Sequence, residues 1–317
     1  MGGAHPRPEG ERLAAISIDL DEVHHYLAIH ALPTGNAGAH AVYDAALPRI
    51  ASFATEHDIP VTLFAVGEDL LRPESAASLR ALSDAGHAVE NHSFRHRYDL
   101  TRLSHADMRA EVARGAAEIA RVTGRAPRGF RAPGYTVNDA LFDVLEALGV
   151  RWDSSVFPCP PYYLAKALVL QAQRVQGKRS AAILGSPRVL GAPVLPYRPG
   201  VRWWEPGDRE LLELPIQVTR AGRLPVIGTS VGRAGVRGAR WLAGACPEGA
   251  LVQLELHGMD FLDAADGLGA LAAHQPELQV SLGRRLDALS AFVKAWMQAG
   301  RRFVLLDDAA EALASTA

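Results

Sequence analysis

Cysteine is scarce in this chain: only Cys159 and Cys246 occur in 317 residues. Two thiols so placed build neither a disulfide framework nor a cysteine metal site, and neither has the histidine spacing that marks a thiol nucleophile. They read as ordinary thiols of a reducing compartment. Long apolar runs are missing too, and no stretch approaches the ~18 residues that a membrane-spanning helix needs. The first twelve residues are polar, contain Gly and Pro, and lack the apolar core of a secretory leader. The expected location is therefore the cytoplasm. Neither sign of charge dominates, with 33 Lys and Arg against 35 Asp and Glu, which argues against nucleic acid as a partner. No internal repeat or long low-complexity segment is evident.

What the chain does contain is a repeated alternation of strand-like and helix-like runs. Strands are expected at 14–20, 60–66, 87–92, 129–131, 151–156, 211–218, 251–257 and 302–306. Helices are expected at 41–56, 74–84, 104–122, 138–148 and 282–298, with Ser104 as an N-cap before Asp107 and Gly86 and Gly149 as stops. Such alternation points to parallel βα units and an α/β fold. The candidate polar residues fall at the C-terminal ends of the strands, which is the catalytic face of a βα barrel. One stretch, 158–204, breaks the pattern. It is rich in Pro and Gly and has no Asp or Glu, yet carries Lys166, Arg174, Lys178, Arg179, Arg188, Arg198 and Arg202. It reads as an insertion capping the barrel mouth, with a helix at 162–175 that has an apolar face. A basic cap suits an anionic substrate group such as a phosphate, or an acidic membrane surface; a solvated basic face is the alternative.

Two short pieces carry the chemistry. Asp19-Leu20-Asp21 ends one apolar strand, and His92-Ser93-Phe94-Arg95-His96 ends another about seventy residues later. Two imidazoles four residues apart project the same way from a helical or turn-like segment, and one carboxylate completes a three-ligand site. Such a triad with open positions is what a hydrolytic metal needs, and the second acid is then free to act as a base. Zinc is the default for one carboxylate and two histidines, and cobalt, manganese or iron suit the same set.

With these pieces in view, the sequence resembles the polysaccharide deacetylase family, the NodB-homology or carbohydrate esterase family 4 group. The resemblance runs from about Ala14 to Leu313 through five motifs in the family's order. Ile18-Asp19-Leu20-Asp21-Glu22 is the first, in an Asp-x-Asp form found in the branch that includes lipid-linked formamido-arabinose deformylases. The resemblance implies Asp19 as general base and Asp21 as metal ligand. His92 and His96 would supply the imidazoles. In Arg131-Ala132-Pro133-Gly134-Tyr135, which has a Gly more than the commoner form, Arg131 would pair with Asp19 and the Tyr135 backbone N–H would face the oxyanion. Trp152-Asp153-Ser154-Ser155 matches the fourth motif only at its start; the second acid, which tunes the catalytic histidine in some members, is missing near Val156. In Leu254-Glu255-Leu256-His257, His257 would protonate the leaving amine.

Together these imply a distorted (β/α) barrel of the polysaccharide deacetylase type, with one catalytic domain over 14–313 and a flexible N-terminus at 1–13. The implied enzyme is a metal-dependent hydrolase that removes an N-acetyl or N-formyl group from an amino sugar, free or phosphate- or lipid-linked, with peripheral membrane contact as a corollary. Its rivals are a C–N hydrolase of a small non-sugar amide and a non-catalytic sugar- or lipid-binding relative. His24 and His25 could line the entrance, although a solvated loop explains them equally well, and Trp203 and Trp204 could stack on a sugar ring, although a core role for one is the more common outcome.

Overall fold

Alternation within the strands decides the architecture. The computed structural model describes residues 11–33, 35 and 38–315. In β1 (Leu13–Asp19), Ala14, Ile16 and Ile18 pack outward into the main apolar cluster, whereas Leu13 and Ala15 belong to a second one. β7 (Leu251–His257) repeats the pattern, with Val252, Leu254 and Leu256 outward and Leu251 inward. A strand buried on both faces belongs to a parallel sheet covered by helices. Six further strands complete it: β2 (Thr62–Ala65), β3 (Ala88–Asn91), β4 (Gly129–Phe130), β5 (Trp152–Asp153), β6 (Leu212–Glu213) and β8 (Arg302–Phe303). All pair in parallel in the order β6-β5-β4-β3-β2-β1-β7, with β8 against the foot of β1.

The sheet curls into a distorted (β/α) barrel, as the resemblance implies. β6 and β7 stand at the two ends of the strand order and are stitched by side chains. Gln253 Nε2 donates to the carbonyls of Leu214 and Pro215, both at 2.7 Å, and Gln217 Oε1 accepts the Gln253 N–H at 3.3 Å. The inward cluster joins Phe64, Trp152, Leu214 and Leu251 to Leu306, Ala309 and Ala310 of a final helix, Leu306–Ala314. One end of the barrel is thus filled by apolar side chains, and its polar residues gather at the other.

The helices are α1 (Val23–Ile29), α2 (Leu47–His57), α3 (Pro73–Asp84), α4 (His105–Thr123), α5 (Asp139–Ala147), α6 (Pro160–Val175), α7 (Gly228–Gly244), α8 (Leu282–Gln298) and the final one, α9. Ser104 caps α4 as expected, its Oγ accepting the Asp107 N–H at 3.1 Å, and Asn138 caps α5 in the same way. Among the described residues no helix is long and apolar enough to cross a membrane.

Several expectations need correction. The segment after Asp21, outside every expected helix, forms one, because the Glu22 carboxylate accepts the Val23 N–H and caps it. α7 is hidden by Gly228, Gly232, Gly235, Gly238 and Gly244, which lower helix propensity. It packs along α8 nonetheless, and breaks at Gly235 (φ 64°). The runs at 151–156 and 211–218 shorten to two-residue strands, since Ser154 and Ser155 leave the sheet to serve the site described below. Of the expected flexible 1–13, residues 1–10 lie outside the described residues. Glu11 pairs with Arg302, and Leu13 already belongs to β1.

Candidate active site

Strand register assembles the site. Asp19, the last residue of β1, is the register partner of His257 at the end of β7, so the two side chains share one level of the barrel. On the other side, the Arg131 N–H donates to the Asn91 carbonyl at 3.0 Å, which brings the end of β4 beside His92. Arg131 is fully buried. Its Nη1 donates to Asp19 Oδ1 at 2.6 Å, its Nη2 to Ser17 Oγ and Ser154 Oγ, both at 2.9 Å, and its Nε to the Ser154 carbonyl at 2.8 Å. The guanidinium also lies over the Phe64 ring, 4.1 Å from its centre. Asp19 is thereby pinned through Oδ1, and its Oδ2 is left toward His92 Nε2 (3.8 Å) and His257 Nε2 (4.0 Å).

Asp21, His92 and His96 offer ligand atoms within 4.8 Å of one another, all buried. Asp21 Oδ1 lies 3.1 Å from His92 Nε2, and Oδ2 3.2 Å from His96 Nε2. Asp21 Oδ1 and both His96 ring nitrogens nevertheless make no aligned hydrogen bond. Buried polar atoms of this kind are normally satisfied, and the Asp21 carboxylate with His92 Nε2 and His96 Nε2 beside it is the donor set of a divalent ion. The His92 tautomer agrees: its Nδ1 lies 2.7 Å from the Arg131 carbonyl, which can only accept. Nδ1 therefore carries the proton, and the Nε2 lone pair is free for a metal. The residues fit such an ion. The segment holding both imidazoles is a turn, with Ser93 (φ 68°) and His96 (φ 51°) in the left-handed region. The Asn91 side chain and Ser93 Oγ hold it through the Ser93 and His96 N–H groups. Burial works against charge on Asp21, but His96 and His92 outweigh it and hold the carboxyl well below the usual range.

The motif around Tyr135 requires a correction. Its backbone N–H is spent within the turn, donating to the Ala132 carbonyl at 3.0 Å, so it is not the expected oxyanion donor. The extra residue, Gly134 (φ 62°), together with Tyr135 (φ 59°), turns the chain so that the tyrosine reaches the site by its side chain. The Tyr135 hydroxyl donates to Glu255 Oε1 at 2.9 Å and lies 3.4 Å from His257 Nε2.

Glu255 is the residue that motif reading passed over. Its Oε1 sits 3.0 Å from His257 Nδ1. The signal was available, because residues two apart on a strand share a face, and Glu255 precedes His257 by two on β7. Burial drives the His257 pKa down, but Glu255 first, then Asp19 and Asp21, outweigh it and push it up to about 9. The acid missing from the fourth motif is thus supplied from the histidine's own strand.

Other candidates fall elsewhere. Asp153 braces the Arg131 loop: Ser155 Oγ donates to Asp153 Oδ1 at 2.8 Å and accepts the Ala132 N–H at 2.7 Å. Trp203 is buried against the α5 side of the fold and Trp204 packs edge-on against it under Arg188, both away from Asp21. His25 is buried beside the His96 ring, with 4.3 Å between centres, and His24 is exposed.

A cavity of about 340 Å³ opens over Asp19, Asp21, His92 and His257, and α6 forms one of its walls. Part of the 158–204 segment thus walls the cavity, but the segment's charges mostly look elsewhere. Arg198 donates to the Arg209 and Glu210 carbonyls, Arg202 pairs with Glu205, and Arg174, Lys178 and Arg179 are exposed. Of the seven cations only Lys166 lines the cavity. Its Nζ donates to the Gly134 carbonyl at 2.9 Å, and burial lowers its pKa to about 8.

Residues 36–152 match the family model for polysaccharide deacetylase, a span that includes His92, His96, Arg131 and Tyr135. Over that span, a little over a third of its length, the chain is similar to the polysaccharide deacetylase family. Asp19, Asp21 and His257 lie outside the matched span and join it through the fold. Among curated proteins, a peptidoglycan deacetylase from Helicobacter pylori is 24% identical over 160 residues, covering 49% of this chain and 53% of that protein. The chain thus spans about half the length of this relative. A crystal structure of a polysaccharide deacetylase-type protein from Mycobacterium smegmatis is 18% identical with a TM-score of 0.60, covering 99% of this chain and 94% of that one. A mutant of a CE4 family pseudoenzyme from Bacillus anthracis, with restored enzymatic activity, is 14% identical with a TM-score of 0.50, covering 94% and 67%. At these identities the structures speak for the shared fold.

Proposed function

We propose that this chain is a polysaccharide deacetylase family member, a metal-dependent hydrolase that removes an N-acetyl or N-formyl group from an amino sugar. Residues 14–313 would act as one catalytic unit, with 158–204 as its cap. The observation that carries the reading is one cavity lined by a pinned carboxylate, Asp19, by the neighbouring imidazole of His257, and by Asp21 and His92 of the candidate ligand set, with His96 completing that set. That is the equipment of amide hydrolysis: a base for water, an acid for the leaving nitrogen, and a ligand set beside them.

Asp21, His92 and His96 would hold the divalent ion, with zinc as the default and cobalt, manganese or iron as substitutes. When bound, such an ion supplies Lewis-acid polarisation of the acyl carbonyl and makes water acidic enough to attack near neutral pH. Asp19 Oδ2 takes a proton from the attacking water as its oxygen bonds to the carbonyl carbon. Arg131 keeps Oδ1 engaged, so only Oδ2 faces the reactants. As the C–N bond breaks, His257 Nε2 gives its proton to the departing nitrogen, which leaves as an amine. The acyl group leaves as acetate or formate. Glu255 stabilises the imidazolium before transfer, and Tyr135 fixes Glu255. The presence of Asp19, Asp21, His92, His96, Arg131 and His257 in one site favours catalysis over a purely binding role. The exposed cations beyond the end of α6 offer a phosphate- or lipid-linked extension a place outside the cavity.

The test is release of acetate and formate by the metal-reconstituted protein from a panel of N-acyl amino sugars. Asp19→Asn and His257→Ala should keep the metal and the fold and lose ~10²–10⁴-fold in turnover each. No release from any panel member by fully loaded wild-type protein, or wild-type turnover in either variant, refutes the assignment.

A further inference from the structure

The walls of the cavity carry polar atoms that the hydrolytic chemistry does not use. Tyr26 Oη, His30 Nε2, Gln173 Oε1 and Glu277 Oε2 all belong to residues lining it, and each is buried without a partner in the protein. Tyr26 is 7% exposed and Glu277 9%. The other polar atom of the Gln173 and Glu277 side chains is already committed. Gln173 Nε2 donates to the Ile29 carbonyl at 3.1 Å, and Glu277 Oε1 accepts the Thr229 hydroxyl. What remains is therefore specific in kind: two fixed acceptors on Gln173 and Glu277, a tyrosine hydroxyl, and one imidazole nitrogen. Such atoms are rare in native proteins and call for a ligand that satisfies them.

Their chemistry narrows the ligand. Two acceptors require donors held at a fixed spacing, which ring hydroxyls provide. Ala165, Val169 and Leu170 of α6, with Ile29 and Pro276, give the same cavity an apolar face for the C–H side of a ring. Glu277 stands with Asp19 and Asp21 around this space, and Lys166, the one Lys or Arg in the lining, is spent on Gly134. An anionic group at the hydroxyls would meet the Glu277 carboxylate.

We propose that Tyr26, His30, Gln173 and Glu277 form a hydroxyl-reading subsite for the ring on the amine side of the scissile amide, selecting an uncharged sugar ring over a plain small amide. This rests on the hydrolase reading and names its substrate class. It also moves any phosphate of the substrate off the bound ring, to the exposed end of α6.

The experiment measures binding, not turnover. The full metal-loaded chain is titrated by calorimetry with N-acetylglucosamine, with N-cyclohexylacetamide as the ring without hydroxyls, and with N-acetylglucosamine 6-phosphate. The sugar should bind at least tenfold tighter than the cyclohexyl amide and than its phosphate. Glu277→Gln and Gln173→Met should each cut the sugar-to-amide ratio about five- to tenfold. Where either variant melts early, Tyr26→Phe, which removes one hydroxyl, carries the same test. Equal binding of sugar and amide, binding of neither, or well-folded variants that keep the ratio overturn the subsite. Tighter binding of the phosphate overturns its preference for an uncharged ring. Because the readout is affinity, loss of acyl release with the ratio intact would overturn the hydrolase reading and leave the subsite standing.

Discussion

Replacing Glu255 with glutamine tests how the site keeps its acid charged. The carboxylate lies 3.0 Å from His257 Nδ1, is fully buried, and is the largest influence raising the His257 pKa to about 9 against the cost of burial. A neighbouring opposite charge is worth ~1–3 pKa units, so its loss should bring His257 down by about 2. At ~1.4 kcal/mol per unit, the imidazolium loses roughly 2.7 kcal/mol of support. The sign follows from the role. A general acid must carry its proton, so activity is retained below its pKa and lost as pH rises through it. At pH 8 about nine-tenths of His257 is protonated in the wild type and about a tenth in the variant, a roughly tenfold loss of kcat/KM that vanishes near pH 6. The assay is kcat/KM against pH, with the His257 ring followed by NMR. The alkaline limb should move from about 9 toward about 7. A limb that stays in place, with the variant folded and metal-loaded, would show that Glu255 does not hold the proton on His257. Tyr135→Phe, which leaves the carboxylate charged, should move the limb far less.

That the candidate ligand set and the candidate acid–base pair share one site was legible because each lies in a short motif at a strand end, where local order is also spatial order. Asp19 and His257 are 238 positions apart, yet both end strands that read clearly from their apolar alternation. Glu255 needed only the parity of β7, which was there to be used. Tyr135 could not be placed, because whether its N–H or its hydroxyl enters the site depends on two consecutive left-handed residues. Where the charges of the basic segment go was hidden for a related reason: charge sign is visible in sequence, but the carbonyls that absorb Arg198 and the ring that carries Arg188 are not. The polar lining of the cavity was least accessible. Tyr26, His30, Gln173 and Glu277 come from three distant segments with no common pattern, and only the folded chain brings them to one space.

Three further outcomes bear on the structure. His92→Ala and His96→Ala should each reduce bound metal to a small fraction of the wild-type content by atomic absorption, and full occupancy in both would remove the proposed ligand set. Gly129→Ala places a methyl group into the Trp152 ring; overpacking of that kind costs ~1–3 kcal/mol, and an unchanged denaturant midpoint would show that the β4–β5 contact yields freely. The last concerns Arg131, which is fully buried and spends its donors on Asp19, Ser17 and Ser154. Arg131→Met keeps volume and apolar contact with Phe64 but leaves the Asp19 carboxylate, itself 1% exposed, without its partner. Removing one member of a buried ion pair costs ~3–5 kcal/mol, largely because the other charge is stranded. The cost should therefore shrink when the stranded charge is removed as well: Arg131→Met made in an Asp19→Asn background should destabilise by roughly half as much or less, a coupling that a double-mutant cycle reads directly from urea midpoints. If the two substitutions simply add, Arg131 contributes through packing alone, and the claim that it exists to hold a charged Asp19 toward the substrate fails.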